Sequence, residues 1–172
     1  MTFMDIHTWL GEVRMVFEPD PFRVFRIYLP GTFSTGGNLP DTGGIKEKPL
    51  SAEACRHAEA VSLMIRQYFD NKKPIDPPWQ WLCFREVTVL QKQVLEITSR
   101  IPFGKVFSYS RIAQAAGKPG AARFIGGTMA ANPFPLIIPC HRVIKSTGAA
   151  GGFGGGTEMK LRLLEHEGWR EL

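Results

Sequence analysis

Between residues 71 and 84 the chain reads Asn71-Lys72-Lys73-Pro74-Ile75-Asp76-Pro77-Pro78-Trp79-Gln80-Trp81-Leu82-Cys83-Phe84. Three prolines with fixed φ and no amide donor forbid a helix across this stretch, and two tryptophans ask for burial. It reads as a stiff connector that divides the 172 residues into a first domain, 1–84, and a second, 85–172. Charge divides at the same place. Residues 1–84 hold 9 Lys and Arg against 10 Asp and Glu, net −1, whereas residues 85–172 hold 12 against 6, net +6. The whole excess of +5 lies in the second half and favours an anionic partner there.

Several function classes are excluded by what the chain lacks. No run approaches the roughly 20 apolar residues that span a bilayer. Asp5 and Glu12 interrupt the N-terminal stretch, so no secretory leader is read. Cys55, Cys83 and Cys140 are odd in number, scattered and without a CxxC pair, and the four histidines show neither HxxxH nor HExxH spacing. We therefore expect no metal, no cofactor, no membrane contact and a reducing intracellular location, cytoplasmic in a prokaryote or nuclear in a eukaryote. Gly151 to Gly156 resembles a dinucleotide loop only superficially, because no strand precedes it and no acidic residue follows in a βαβ unit.

In the first half, apolar runs at 12–17 and 22–29, joined by Glu18-Pro19-Asp20-Pro21, predict a hairpin. The glycine-rich segment 30–49 predicts a long loop. Ser51 then caps a helix with Cys55, Ala58, Val61, Met64, Ile65 and Tyr68 on its apolar stripe, ended by Asp70 to Pro74. In the second half, Thr88 and Gln91 form a capping box for a helix with Val87, Leu90, Val94 and Ile97 on its apolar face. Ser108 caps a short helix that Gly117 ends, and Pro119-Gly120 leads into another beginning at Ala121. That pair is a helix-turn-helix candidate. The expected fold class is α+β: a small N-terminal αβ domain of antiparallel sheet plus helix, then a mainly helical domain carrying the helix-turn-helix and a reactive cysteine.

Chemistry concentrates downstream of these helices. In the run Leu136-Ile137-Ile138-Pro139-Cys140-His141-Arg142, a strand-like segment delivers a cysteine into a basic setting. A thiol reacts as its thiolate, and an imidazole or positive charge lowers its pKa from about 8.5. The alternative is a buried thiol that merely precedes a histidine. Thr157 is read as the cap of a last helix with Met159, Leu163 and Leu164, ending at Glu167-Gly168. A carboxylate in a last helical turn opposes the dipole, so Glu167 is either an exposed terminal residue or the group that orients His141 in a Cys140–His141–Glu167 triad. Arg123, after the small residues Ala121 and Ala122 at the start of a helix, also opposes the dipole unless an anion is near. A solvated surface arginine is the plain alternative.

Taken in order, Ile101-Pro102-Phe103-Gly104-Lys105-Val106, Ser108-Tyr109, Ala122-Arg123, Asn132-Pro133, Pro139-Cys140-His141-Arg142-Val143, Gly151-Gly152-Phe153 and Leu163-Leu164-Glu165-His166-Glu167-Gly168 resemble the O6-alkylguanine-DNA alkyltransferases, across Thr88 to Trp169. The resemblance implies one irreversible transfer of a methyl or larger alkyl group from guanine O6 in double-stranded DNA to Cys140, with O4-alkylthymine left open as a further substrate. It implies a helix in the minor groove with low sequence specificity, an extruded base, and a monomer without cofactor. By the same likeness, Arg123 fills the vacated space while Ala121 and Ala122 allow close approach. Tyr109 acts on the adjoining phosphate and donates a proton to guanine N3, and His141 takes the thiol proton through a water with Glu167 fixing its tautomer. Asn132, Val143, Phe153, Gly154 and Met129 line the pocket. Phe153 stands where many relatives have tyrosine and Gly154 where many have serine. Rival readings are a lesion binder without transfer, a helix-turn-helix regulator, and a cysteine hydrolase; the first lacks the nucleophile that Cys140 supplies here.

Overall fold

The computed structural model describes residues 1–33 and 50–170. Most of the 30–49 loop expected from the sequence lies outside the described residues. Two compact units divide between Cys83 and Phe84.

The first unit is a three-stranded antiparallel sheet in the order β1 (Thr2–Thr8), β2 (Gly11–Pro19), β3 (Phe22–Tyr28), followed by helix α1 (Ala52–Asn71). The predicted hairpin is β2–β3. Strand β1 was not anticipated. It pairs with β2 from Thr2 opposite Phe17 to Thr8 opposite Gly11, yet Ile6 is its one wholly buried residue. Alternation places Val13, Met15 and Phe17 of β2 with Phe22 and Val24 of β3 in the core, and a register shift at Val16/Phe17 brings Ile27 onto the same face. Helix α1 is capped by Ser51, whose hydroxyl accepts from the Ala54 amide at 3.1 Å. Its buried stripe is Ala54, Ala58, Val61, Ser62, Ile65, Tyr68 and Phe69; Cys55 and Met64, expected on the stripe, are only half-buried. The connector is docked, not free: Trp81 packs edge-on against Phe22 at 5.6 Å, and the Cys83 amide donates to Val24 at 2.8 Å.

The second unit begins with α2 (Val89–Ser99), where the Thr88–Gln91 capping box is present. Its buried face is Val94, Leu95 and Thr98, rotated from the expected one so that Val87, Leu90 and Ile97 lie at its margins. Next come β4 (Phe107–Ser108), α3 (Tyr109–Ala115), α4 (Ala122–Ala130), β5 (Val143–Ile144) and α5 (Gly156–His166). Ser108 caps α3 by accepting from the Arg111 amide at 3.1 Å. Helices α3 and α4, joined through Gly117 and Gly120, pack on α2 and on each other as the helix-turn-helix. Two sequence readings are corrected. Ile137-Ile138 is a buried turn and not a strand, and the short parallel pair β4–β5 lies on the far side of Cys140. Thr157 lies inside α5, whose N-terminal residue is capped by Gly155 without a side-chain bond. Among the described residues, no helix is long and apolar enough to cross a membrane.

Candidate active site

The segment from Asn132 to Ile144 is buried throughout. A backbone so enclosed must satisfy its own polar groups, and Asn132 supplies two of the bonds. Its amide nitrogen donates to the Ile138 carbonyl at 2.9 Å, and its Oδ1 accepts from the Phe134 amide at 3.0 Å. These bonds close a turn in which Leu136 adopts φ +72°, a conformation costing about 1–3 kcal/mol for a residue with a Cβ. The turn ends at Pro139, and a single 3-10 turn, Cys140 to Arg142, presents the thiol, the imidazole and the guanidinium in succession.

Cys140 is 3% exposed. Burial pushes its thiol pKa up, against the Asn132 hydrogen bond, the Lys160 charge and backbone amides, all of which favour the thiolate. This reverses the expected balance: neighbouring positive charge is present, but desolvation outweighs it in the resting site. The thiol is therefore protonated at neutral pH and needs a base.

His141, next in sequence, is the candidate for that base. It is wholly buried, and desolvation lowers its pKa below the ordinary value, which keeps the ring neutral. Nε2 lies 2.8 Å from Glu167 Oε1, so the carboxylate fixes the tautomer with the proton on Nε2 and leaves Nδ1 as the basic nitrogen. Glu167 caps the end of α5, and its carboxylate turns inward where the α5 dipole disfavours it. Three other donors offset that cost. Arg142 donates from Nε to Oε2 and from Nη2 to Oε1, both at 2.9 Å, and the Gly104 amide donates to Oε2 at 3.0 Å. Arg142 in turn is held by the Ile101 carbonyl, 2.6 Å from Nη1. These bonds outweigh burial and hold the Glu167 pKa down at about 2. Gly104 has φ +71°, and a Cβ there would stand 2.8 Å from the Glu167 carbonyl oxygen, so only glycine fits.

Opposite this cluster, Lys160 is wholly buried on α5. Its ammonium donates to the Val143 carbonyl at 2.6 Å and to the Gly152 carbonyl at 3.3 Å, and lies 5.8 Å from the Tyr109 ring centre. Desolvation lowers its pKa to about 8, partly offset by the charge of Cys140. Tyr109, half-buried at the start of α3, has its hydroxyl 3.5 Å from the Gly152 carbonyl. Burial and the Cys140 charge raise its pKa, so it keeps its proton. Phe153 is half-buried, its ring edge-on to His141 at 6.5 Å. Gly154 is exposed, with nothing within 4 Å of an added Cβ.

Cys140, His141, Glu167, Asn132 and Val143 thus share one buried cluster, with Tyr109 and Phe153 at its edge. Met129 is buried on α4 with the Thr98 hydroxyl of α2 3.8 Å from its sulfur. Arg123 is exposed on α4, and Ala121 and Ala122 are half-buried where that helix begins. Three contributors escaped the sequence reading. The sequence offers Arg142 only as positive charge for the thiol, whereas it clamps Glu167; Gly104 carries a donor for the same carboxylate, and Lys160 is buried against the Val143 carbonyl. For Lys160 a signal existed, since it stands three and four residues before Leu163 and Leu164 and so shares their buried stripe.

Fold and site together define a helix-turn-helix domain built around a buried cysteine–histidine–glutamate cluster. Residues 89–169 match the family described as 6-O-methylguanine DNA methyltransferase, DNA binding domain. The methylated-DNA–protein-cysteine methyltransferase of Methanothermobacter thermautotrophicus is 46% identical over 104 residues, covering 60% of this chain and 57% of that protein. The human protein of the same name is 38% identical over 110 residues, covering 62% and 53%. This chain therefore spans little more than half the length of either relative. The crystal structure of Mycobacterium tuberculosis OGT in complex with DNA superposes with a TM-score of 0.75 at 28% identity, covering 96% of this chain and 91% of that one. Residues 89–169 thus belong to the O6-alkylguanine-DNA alkyltransferase (methylated-DNA–protein-cysteine methyltransferase) family.

Proposed function

We propose that this protein repairs double-stranded DNA by direct reversal, moving an alkyl group from guanine O6 to its own Cys140 in one irreversible step. The observation that carries the reading is the buried chain Cys140, His141, Glu167, in which a neutral imidazole with a fixed tautomer adjoins a protonated thiol.

The target O6 is out of reach in a stacked duplex, so the base must be extruded. Arg123, exposed on α4, occupies the space it leaves, and the half-buried Ala121 and Ala122 let the helix approach the minor groove. In the pocket, the thiol proton passes to His141 Nδ1, directly or through one water. The sulfur attacks the alkyl carbon, a C–S bond forms, and the C–O bond electrons move onto guanine. Tyr109, whose raised pKa keeps it protonated, donates to guanine N3, so that neutral guanine departs. The Val143 carbonyl accepts Lys160 with one lone pair and has a second for the exocyclic amine. Phe153 and Gly154 border the alkyl group, and Met129 supports the pocket from α4. A thioether has no leaving route, so each molecule reacts once.

All these groups lie in residues 84–170, within the second unit, so a monomer suffices. The protein acts where the DNA is, in the cytoplasm or in a eukaryotic nucleus. Neither metal nor cofactor takes part. The test is stoichiometric: with an O6-methylguanine duplex in excess, unmodified guanine should appear once per protein molecule and then stop. Continued turnover would contradict transfer to the protein, and the Cys140→Ser variant should bind the duplex without repairing it.

A further inference from the structure

Helix α4 is nine residues, Ala122-Arg123-Phe124-Ile125-Gly126-Gly127-Thr128-Met129-Ala130. Ile125, Thr128 and Met129 face the core, which leaves Arg123, Phe124, Gly127 and Ala130 on the outward face. At 100° per residue, Gly127 projects between Arg123 and Phe124 one turn further on. Phe124 is 38% exposed, and among the described residues of the second unit no other aromatic side chain is exposed to solvent. It engages no ring or cation of the described residues.

Two features show that this exposure faces a partner. A Cβ at Gly126 or Gly127 would meet nothing within 4 Å, so nothing among the described residues requires either glycine, although each costs a helix interior about 1 kcal/mol relative to alanine. Close approach of another molecule's backbone gives them a reason. Charge identifies that molecule: the second half carries net +6, with Arg111, Lys118 and Arg123 exposed on the helix-turn-helix or its turn. The occupant is duplex DNA.

We propose that Phe124 is a wedge that enters the minor groove beside Arg123 and pries open the base step next to the extruded nucleotide. Minor-groove proteins insert apolar side chains between base steps, where unstacking costs a few kcal/mol that wider contact offsets. The labour divides by chemistry. Arg123 replaces the lost base within the stack with a charged, hydrogen-bonding plane, and Phe124 holds the neighbouring step unstacked with an apolar one. Phe124 is thus a positioning residue, and the inference rests on the DNA-repair reading above.

The test separates the two. In a Cys140→Ser background, where no transfer occurs, 2-aminopurine placed beside the target should brighten when the protein binds its duplex. Phe124→Ala should reduce that signal about tenfold in apparent extrusion constant, and Phe124→Trp should retain it. The salt slope of binding should stay unchanged, because an apolar wedge releases no counterion. With Cys140 intact, Phe124→Ala should slow transfer from duplex but leave reaction with free O6-benzylguanine within about twofold. Unchanged fluorescence, or equal loss on duplex and free base, overturns the wedge. Failure of an O6-methylguanine duplex to methylate the unsubstituted protein would instead overturn the alkyltransferase reading.

Discussion

Arg142 grips Glu167 through two guanidinium nitrogens, Nε to Oε2 and Nη2 to Oε1, both at 2.9 Å, with both side chains removed from water. The pair sits directly behind the imidazole proposed to accept the thiol proton. A forked bond of this kind fixes a carboxylate in orientation as well as position, and Glu167 passes that rigidity to His141 Nε2.

Replacing Arg142 with methionine should therefore destabilise the second unit by about 3–5 kcal/mol, because a buried carboxylate loses its fully charged partner. Arg142→Lys should recover little of it, since an ammonium cannot reproduce the fork. Urea unfolding of the three proteins measures this directly. Full recovery by lysine would mean that charge alone, and not bidentate geometry, holds Glu167.

Acid should act through Glu167. Its folded pKa of about 2 lies below the unfolded value of 4.5, so its contribution is fully present above about pH 4.5 and is lost as pH falls toward 2. The shift corresponds to about 3 kcal/mol. Glu167→Gln should be the less stable protein at pH 7, and the gap should close as pH is lowered through 4. Parallel stability curves for the two proteins would contradict the assignment.

Gly104 carries two constraints at once, its positive φ and the 2.8 Å that would separate a Cβ from the Glu167 carbonyl oxygen. Gly104→Ala should cost about 1–3 kcal/mol and move the amide off Glu167. Transfer should slow on free O6-benzylguanine as well as on duplex, since the defect lies at the proton acceptor. Wild-type rates on both would show that the Gly104 amide has no part in setting the base.

Lys160 favours the Cys140 thiolate against the burial that opposes it. Lys160→Met keeps the length of the chain but removes the charge, and should move the thiol pKa further up. Alkylation of Cys140 by iodoacetamide should slow at pH 7, with the pH profile displaced upward. An unmoved profile would confine Lys160 to tethering the Val143 and Gly152 carbonyls.

Much of this was readable from residues whose role is local. Ser51, Thr88 and Ser108 each cap the helix they begin, and Gly117 ends α3, because capping depends on a few adjacent atoms. Strand β1 was not readable, since Thr2, Asp5, His7 and Thr8 dilute its alternation and its partner β2 supplies the pairing. The two-residue strands β4 and β5 depend on a parallel contact between Phe107 and Val143, far apart in sequence. In the site, adjacency revealed Cys140 and His141, and a broken dipole rule flagged Glu167. What satisfied that carboxylate, a guanidinium 25 residues before it and an amide 63 before it, is a property of the closed fold. The direction of the thiol shift escaped for the same reason, because desolvation is visible only once the residues around Cys140 are in place.

The central claim is that Cys140 is the acceptor. Incubation with a duplex oligonucleotide bearing O6-methylguanine should make the intact protein one methyl group heavier, and peptide mapping should place that mass on Cys140, with Cys55 and Cys83 unmodified. An unchanged protein mass while the DNA is repaired, or methylation at another residue, would contradict it.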